Sequence, residues 1–477
     1  MLWRDQAKAL VESITIEVFL VTLLALEITA LFSVPSVLLR RQGRPSSAIA
    51  WLLALFALPA IGSVAWWAIG RTHIERRLRR HSTRKRDLSE QFSAPISLRG
   101  EQFENFLPSR ARGEYAFSSH GNELTLLADG HNAFPQMEKA IGDAQTCIHM
   151  LFYIFELDNT GRRICDSLRT RALAGVKIRV LLDGFGCQKT VRKIRHQLNV
   201  PGIEVAVFLP SRLSPLYAPR FNFINHRKIL VVDNRIAFTG GMNIGNDYEH
   251  SWRDLMLRIQ GSAVAGLNHV FLEDWYFATG QALRDPAIVE EDRALGTIDV
   301  AIVISGPDTE SWIHDAYFMA ISLAKESLWL ATPYFIPTPA ILTALRTAAG
   351  RGVEIRLILP SLSDVQLVMW ASRSFYKSLI DAGVRIFEYS ETMLHAKLLI
   401  QDSNLFSIGT ANIDNRSFRL NFEVSSFVKD QATALELESW LGKILEDSVE
   451  ITHEYLAHRS TLRKLTESTA HLLSPLL

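Results

Sequence analysis

The sequence predicts an α/β protein made of two like halves that share one site, preceded by an apolar helical segment. Three observations carry this. From about residue 120 onward, short β-branched runs alternate with helix-like stretches, the pattern of strands interleaved with helices. The runs include Val176–Leu182, Ile203–Phe208, Ile229–Val232, Ile355–Leu359, Val384–Tyr389 and Leu398–Ile400. The second observation is internal repetition, which decides architecture early. Gly175–Leu182 (GVKIRVLL) echoes Gly352–Leu359 (GVEIRLIL), Gly202–Val205 echoes Gly383–Ile386, and Asn225–Asp233 (NHRKILVVD) echoes Leu394–Asp402 (LHAKLLIQD). The third is that the first 86 residues are of a different composition from the rest.

The chain has 477 residues, enough for two or three domains. Lys and Arg total 51 against 50 Asp and Glu, so net charge names no partner and the placement of charge matters more. Three cysteines, Cys147, Cys165 and Cys187, are too few for a disulfide framework and lack metal-ligand spacing. They read as ordinary thiols, with no metal and no cofactor expected.

Two apolar stretches open the chain, at 14–39 and 47–69. Each is long enough for a bilayer-crossing helix, which needs about 20 residues. The first contains Glu17 and Glu27; a carboxylate near mid-span is costly and is protonated, paired or turned to protein, or else the segment is interfacial. The second carries no formal charge and ends in Trp66 and Trp67, rings suited to the membrane interface. Between them lie Arg40, Arg41 and Arg44; after them come Arg71, Arg76, Arg77, Arg79, Arg80, Arg84, Lys85 and Arg86 against Glu75. This excess predicts that both ends of a helical hairpin face the cytoplasm, and the basic run also suits anionic headgroups. The expected layout is a transmembrane hairpin over 1–70, a basic linker over 71–118, one half over 119–290 and the other over 291–477.

The two halves share a set of polar positions. Counted from His226 and His395, Lys lies at +2 (Lys228, Lys397), Asp at +7 (Asp233, Asp402), Gly at +14 (Gly240, Gly409), Asn at +17 (Asn243, Asn412) and an acid at +28 (Asp254, Glu423). The repeat offset drops from 177 and 181 residues to 169 at this motif, so the first half carries an insertion within Leu209–Phe223, either a substrate-contacting or a neutral surface loop. In a strand, residues two apart share a face, so each His projects with its Lys. Two such strands meeting at a pseudo-twofold seam bring two imidazoles and two ammonium groups together. Such a set, without metal ligands, fits attack on a phosphodiester: lysines and asparagines hold the anionic oxygens, one imidazole attacks phosphorus, and the other protonates the leaving oxygen. Asp254 and Glu423 are candidates to fix the imidazole tautomers. Asp233 and Asp402, at strand ends, are expected to hold local backbone.

The duplicated His-x-Lys-x4-Asp motif resembles that of the phospholipase D superfamily over roughly residues 120–475. The resemblance implies two α/β halves with one active site, a phosphohistidine, no metal, and an active-site set of His226, Lys228, Asp233, His395, Lys397 and Asp402. A narrower likeness is to bacterial cardiolipin synthases. It rests on Ser47–Trp51, Pro59, Gly70–Arg71, Gly240–Asn243, Trp252–Asp254, Thr332–Pro337, Gly409–Asn412, Asp414–Ser417, Asn421–Glu423 and the ending Leu472–Leu477. That family joins two phosphatidylglycerols into cardiolipin with release of glycerol, in the bacterial inner membrane, and the catalytic region is expected on the cytoplasmic side. Other activities remain open on the same scaffold: phosphatidylethanolamine as donor, water as acceptor, a tethered nuclease, or a non-catalytic scaffold. The absence of an interleaved basic and aromatic surface argues against nucleic acid. Which histidine attacks is not decided by the sequence.

Overall fold

The computed structural model describes residues 21–41 (without 23), 45–67, 103, 106, 107, 111, 115–209, 223–283, 295–472 and 474. The chain divides into two compact units, one from the N-terminal segment and one holding both repeats. Residues 14–20, most of the linker over 71–118 and most of the insertion in Leu209–Phe223 lie outside the described residues.

In the N-terminal unit, a helix over 24–40 is followed by helices Pro45–Ala57 and Pro59–Ala65. The stretch expected as one helix over 47–69 is broken at Leu58, whose backbone leaves the helical region (φ −138°, ψ 71°). Pro59 is the cause, because its ring disfavours helical geometry in the residue before it and it has no N–H to donate. Among the described residues, no helix is long and apolar enough to cross a membrane. The helices are tied by polar contacts: Trp66 Nε1 donates to Ser36 Oγ (3.3 Å) and Trp67 Nε1 to Ser33 Oγ (2.9 Å). Leu31, Phe32, Leu53, Phe56, Ile61 and Val64 stay exposed, and so does Glu27.

The larger unit is one fifteen-stranded mixed sheet. The first repeat supplies β1 (Ala116–Ala128), β2 (Cys147–Phe152), β3 (Lys177–Asp183), β4 (Ile203–Phe208), β5 (Ile229–Val232), β6 (Ile236–Gly240) and β7 (Leu255–Gln260). The second supplies β8 (Ile298–Ser305), β9 (Ser327–Ala331), β10 (Glu354–Pro360), β11 (Arg385–Tyr389), β12 (Leu398–Gln401), β13 (Leu405–Gly409), β14 (Glu423–Lys429) and a further edge strand, β15 (Ser448–Ile451). The order is 15-11-10-9-12-13-14-8-1-7-6-5-2-3-4. Read outward from the β1–β8 pair, each half has the same order, so the repeats are related by a pseudo-twofold axis at that antiparallel pair. Strands β2, β3 and β4 run parallel, as do β9, β10 and β11, with helices as crossovers. Strand β2 is buried along its whole length and β10 over its last four residues, which is why they read as apolar runs.

One apolar core crosses the seam: Ile302, Leu398 and Trp440 of the second half pack with Ile229, Leu257 and Trp275 of the first. On the other face each half has its own core, under helices Gly130–Asp143 and Asn159–Leu173 in the first and Trp312–Leu323 and Pro339–Gly350 in the second. The shared core holds the two halves as one body, so geometry at the seam is fixed by packing.

Candidate active site

Each motif histidine lies just before the middle strand of its half, His226 before β5 and His395 before β12. The seam is stitched by backbone at these points. His226 N donates to Phe422 O (2.9 Å) and Phe422 N to Ile224 O (2.9 Å); His395 N donates to Arg253 O (2.8 Å) and Arg253 N to Met393 O (2.9 Å). The segment entering β7 therefore runs beside the second motif, and the segment entering β14 beside the first. The acids follow directly on these crossings, and so they exchange partners. His226 Nδ1 is 3.1 Å from Glu423 Oε2, and His395 Nδ1 is 2.6 Å from Asp254 Oδ2. Each half buttresses the other half's imidazole. With Nδ1–H given to a carboxylate, Nε2 is the nitrogen left for chemistry.

The lysines lie on the histidine side of each strand, as the two-residue period requires. Lys228 Nζ donates to His226 O (2.7 Å), and Lys397 Nζ donates to His395 O and sits 3.1 Å from His395 Nε2. Both ammonium groups are buried, which pushes Lys228 down to about 7 and Lys397 down to about 8. Burial also lowers both histidines, His395 to about 4 with Lys397 adding to the effect. Burial opposes ionisation of Asp254 and Glu423, but Lys397 and His395 outweigh it at Asp254, and His226 and Lys228 at Glu423, so both carboxyls fall below their usual range. The site thus sets two carboxyls held below their usual range beside two lysines and two imidazoles that burial makes less basic. A phosphodiester anion entering it would restore full charge to the lysines and raise the histidines.

The other predicted residues divide. Asn243 Oδ1 accepts from Ile154 N (3.0 Å) and its Nδ2 donates to Tyr248 OH (2.9 Å), so it ties together the loops around the histidines. Asn412 is buried beside Thr410, with its Oδ1 unpartnered. Gly240 and Gly409 end their strands where a Cβ would meet Leu255 O at 2.3 Å or Ser425 Cα at 2.6 Å; they permit close strand approach. Asp233 and Asp402 are not brought to the histidines. They sit at the far ends of β5 and β12, in tight turns with positive φ (53° and 51°), and accept backbone N–H groups from Gln145, Thr146 and Cys147, and from Lys325, Glu326 and Ser327. Both aspartates, which the resemblance implied for the active-site set, here bond to backbone at the strand ends away from the histidines.

The structure adds side chains that the spacing argument did not single out. Tyr153, at the end of β2, sets its ring edge-on to His226 at 4.9 Å and lies under Lys228 Nζ at 5.4 Å. A π-helical turn, Asp247–Ser251, carries Tyr248 to 5.5 Å from the His395 ring, and Trp252 follows at 5.2 Å. Thr410 gives its hydroxyl to Glu423 and its carbonyl to His226 Nδ1 (3.1 Å). At the matching position, a Cβ on Gly241 would meet Asp254 Oδ1 at 2.1 Å. The repeat itself was the available signal: Gly241 aligns with Thr410 at the same offset as the histidines.

A tandem pseudo-symmetric sheet with two His-Lys pairs, one from each half, at its seam is the phospholipase D arrangement. Residues 137–275 and 317–445 match the family model described as "Cardiolipin synthase, PLD-like domain", and 28–71 match "Phospholipase_D-nuclease N-terminal". A cardiolipin synthase 2 of Bacillus cereus is 36% identical over 466 residues, covering 94% of this chain and 90% of that one. A cardiolipin synthase of Alkalihalophilus pseudofirmus is 34% identical over 455 residues, covering 91% and 89%. Among solved structures, a phosphatidylserine synthase of Haemophilus influenzae superposes with TM-score 0.60 at 15% identity, covering 74% of this chain and 95% of that one, which is a likeness of fold. The chain belongs to the cardiolipin synthase family of phospholipase D-like proteins.

Proposed function

We propose that the protein is a phosphatidyltransferase that makes cardiolipin from two phosphatidylglycerols and releases glycerol. The observation that carries this is the pair of imidazoles at one seam, each oriented through Nδ1 by the other half's carboxylate. Lys228 and Lys397, with Asn243 and Asn412 beside them, hold the phosphodiester oxygens. One imidazole Nε2 forms a bond to phosphorus as the bond to the glycerol oxygen breaks, and the other imidazole, protonated once the anion is bound, gives that oxygen its proton. The second imidazole then takes the proton of a terminal glycerol hydroxyl of another phosphatidylglycerol as that oxygen attacks the phosphohistidine. The first imidazole leaves unchanged and cardiolipin is formed. Burial lowers the basicity of both histidines, which supports a neutral nucleophile at neutral pH.

The apolar N-terminal helices and the basic run after them support a multi-pass anchor in the inner membrane, with the catalytic unit on the cytoplasmic side. Full-length protein in phosphatidylglycerol vesicles should yield cardiolipin and glycerol by mass spectrometry. Mainly phosphatidic acid would make it a hydrolase, and dependence on added phosphatidylethanolamine would reassign the donor.

A further inference from the structure

Asp129 follows β1 directly and holds a backbone that an L residue rarely takes, φ 64° and ψ 155°, a region that glycine enters freely. What an aspartate brings to this position is its carboxylate. Oδ1 accepts from Arg253 Nε (2.9 Å). Oδ2 accepts from Trp440 Nε1 (3.3 Å), on helix Gln431–Glu446 of the second repeat. The Arg253 guanidinium lies over the Trp440 ring at 5.5 Å, which closes the triangle. The Asp129 side chain is 13% exposed and that of Arg253 28%, so the pair is partly shielded from solvent.

Arg253 stands between two residues that face His395. Trp252 before it sets its ring 5.2 Å from the imidazole, and Asp254 after it meets Nδ1 at 2.6 Å. Both backbone groups of Arg253 are engaged by the second motif, N with Met393 O and O with His395 N. Asp129 also donates its own N–H to Asp254 O (2.8 Å). One residue thus grips Arg253 by its side chain and Asp254 by its backbone. The other repeat has no such device. Ala128 stands opposite Leu255 where β1 pairs with β7, and Ile304 opposite Val424 where β8 pairs with β14. Ser305 is therefore the counterpart of Asp129, and Phe422 of Arg253, a couple that can form no ion pair. On that side the acid stands further from its imidazole, 3.1 Å between Glu423 and His226.

We propose that Asp129 is a positioning residue for His395: anchored to both repeats, its carboxylate fixes Arg253 and so keeps Asp254 aimed at Nδ1 of that imidazole. Its effect on rate rests on the proposed phosphatidyl transfer; its effect on the imidazole does not. Asp129 itself touches neither histidine. The bond from Asp254 to His395 crosses the seam. An acid that swung away would let the ring proton move from Nδ1 to Nε2, the wrong tautomer for chemistry at Nε2. The unfavourable φ is retained because glycine has no carboxylate to give. The effect is confined to one imidazole, since His226 takes its support from Glu423 and the Thr410 carbonyl.

Asp129→Asn and Asp129→Gly separate this role from one in the fold. On phosphatidylglycerol vesicles both should lower kcat about tenfold with KM unchanged. Asp129→Gly should keep the parent's thermal unfolding, because glycine relieves the backbone. Combined with Asp254→Asn, Asp129→Asn should deepen the loss no further, whereas with Glu423→Gln the two losses should multiply. Losses that multiply in both pairs, or that follow a fall in thermal stability in both single variants, overturn the proposal. A readout without turnover keeps it apart from the identity of the reaction: nitrogen NMR of the full-length protein carrying isotope-labelled histidine. The His395 signals, identified by their loss in His395→Ala, should report Nδ1–H in the parent and a mixture of tautomers in Asp129→Asn, with those of His226 unchanged. An unaltered His395 overturns the proposal even if the protein makes cardiolipin, and an altered one sustains it even if the product is another lipid.

Discussion

The two repeats share one topology and one motif, yet they treat their histidines differently. His395 is held by a short acid at 2.6 Å and boxed by Tyr248 and Trp252, all from the first repeat. His226 shares its Nδ1 between Glu423 and the Thr410 carbonyl, both at 3.1 Å, and among the described residues meets the ring of Tyr153. The residues around the motifs differ as well. Asn225 and Arg227 join a buried polar network in which Asp183 accepts Asn225 N (2.8 Å) and Asp274 accepts from both Asn225 Nδ2 and Arg227 Nη1 (2.8 Å each). The equivalent positions in the second repeat are Leu394 and Ala396, buried in the shared core. Duplication preserved the strands and the pair of groups that face the seam, while the supports diverged. Different surroundings can separate the two imidazoles, so that one serves as nucleophile and the other as proton donor.

The comparison can be broken at the acids. Asp254→Asn should lower the rate of cardiolipin formation by about 10²–10⁴-fold, because an amide cannot fix the tautomer of His395. Glu423→Gln should cost about tenfold less, since the Thr410 carbonyl still accepts from His226 Nδ1. Initial rates in vesicles measure both, and equal losses would mean that the asymmetry is idle. The polar network should matter for folding. Asp274→Ala leaves the Arg227 guanidinium buried without its carboxylate and should cost about 3–5 kcal/mol of stability, read by thermal or denaturant unfolding. The motif aspartates should give smaller losses of another kind. Asp233→Asn or Asp402→Asn should remove about 1–3 kcal/mol of stability and leave kcat nearly unchanged. Backbone amides overcome burial and hold both carboxyls below the usual range, so this contribution is present at neutral pH and fades on acidification through the carboxylate range. The smallest effect is in pH dependence. Lys228 and Lys397, lowered to about 7 and about 8, lose their protons as pH rises through those values, so kcat/KM should fall on that alkaline limb. A flat profile to pH 10 would show that neither ammonium group is needed in the free enzyme.

Much of this was legible in the sequence, for identifiable reasons. The repeat, the strand character of its runs and the same-face placement of His226 with Lys228 follow from period-two geometry, which depends on local sequence. The candidate acids were legible as a spacing, but not which histidine each would meet. Asp254 and Glu423 both lie 28 residues after their own histidine, and only the crossing of backbone at Arg253 and Phe422 sends each to the other's partner. Tyr248 was not legible as a neighbour of His395, because it arrives on a π-helical turn without a strand's period, and Trp252 stood out only within the family likeness. Gly240 and Gly409 recur for strand approach, which a motif pattern cannot distinguish from a phosphate-cradling turn. The break before Pro59 was written in the chain, but hydropathy averages over it.

The central claim is that two imidazoles from different repeats serve one phosphorus atom. Rapid acid-free quenching of the full-length protein with phosphatidylglycerol radiolabelled at phosphorus, followed by peptide mapping, tests it most directly. The account predicts one labelled histidine per chain, always the same one of His226 and His395, with label that persists when the other histidine is replaced by alanine. Label on both histidines of one chain, or full cardiolipin synthesis by either His226→Ala or His395→Ala, would contradict it.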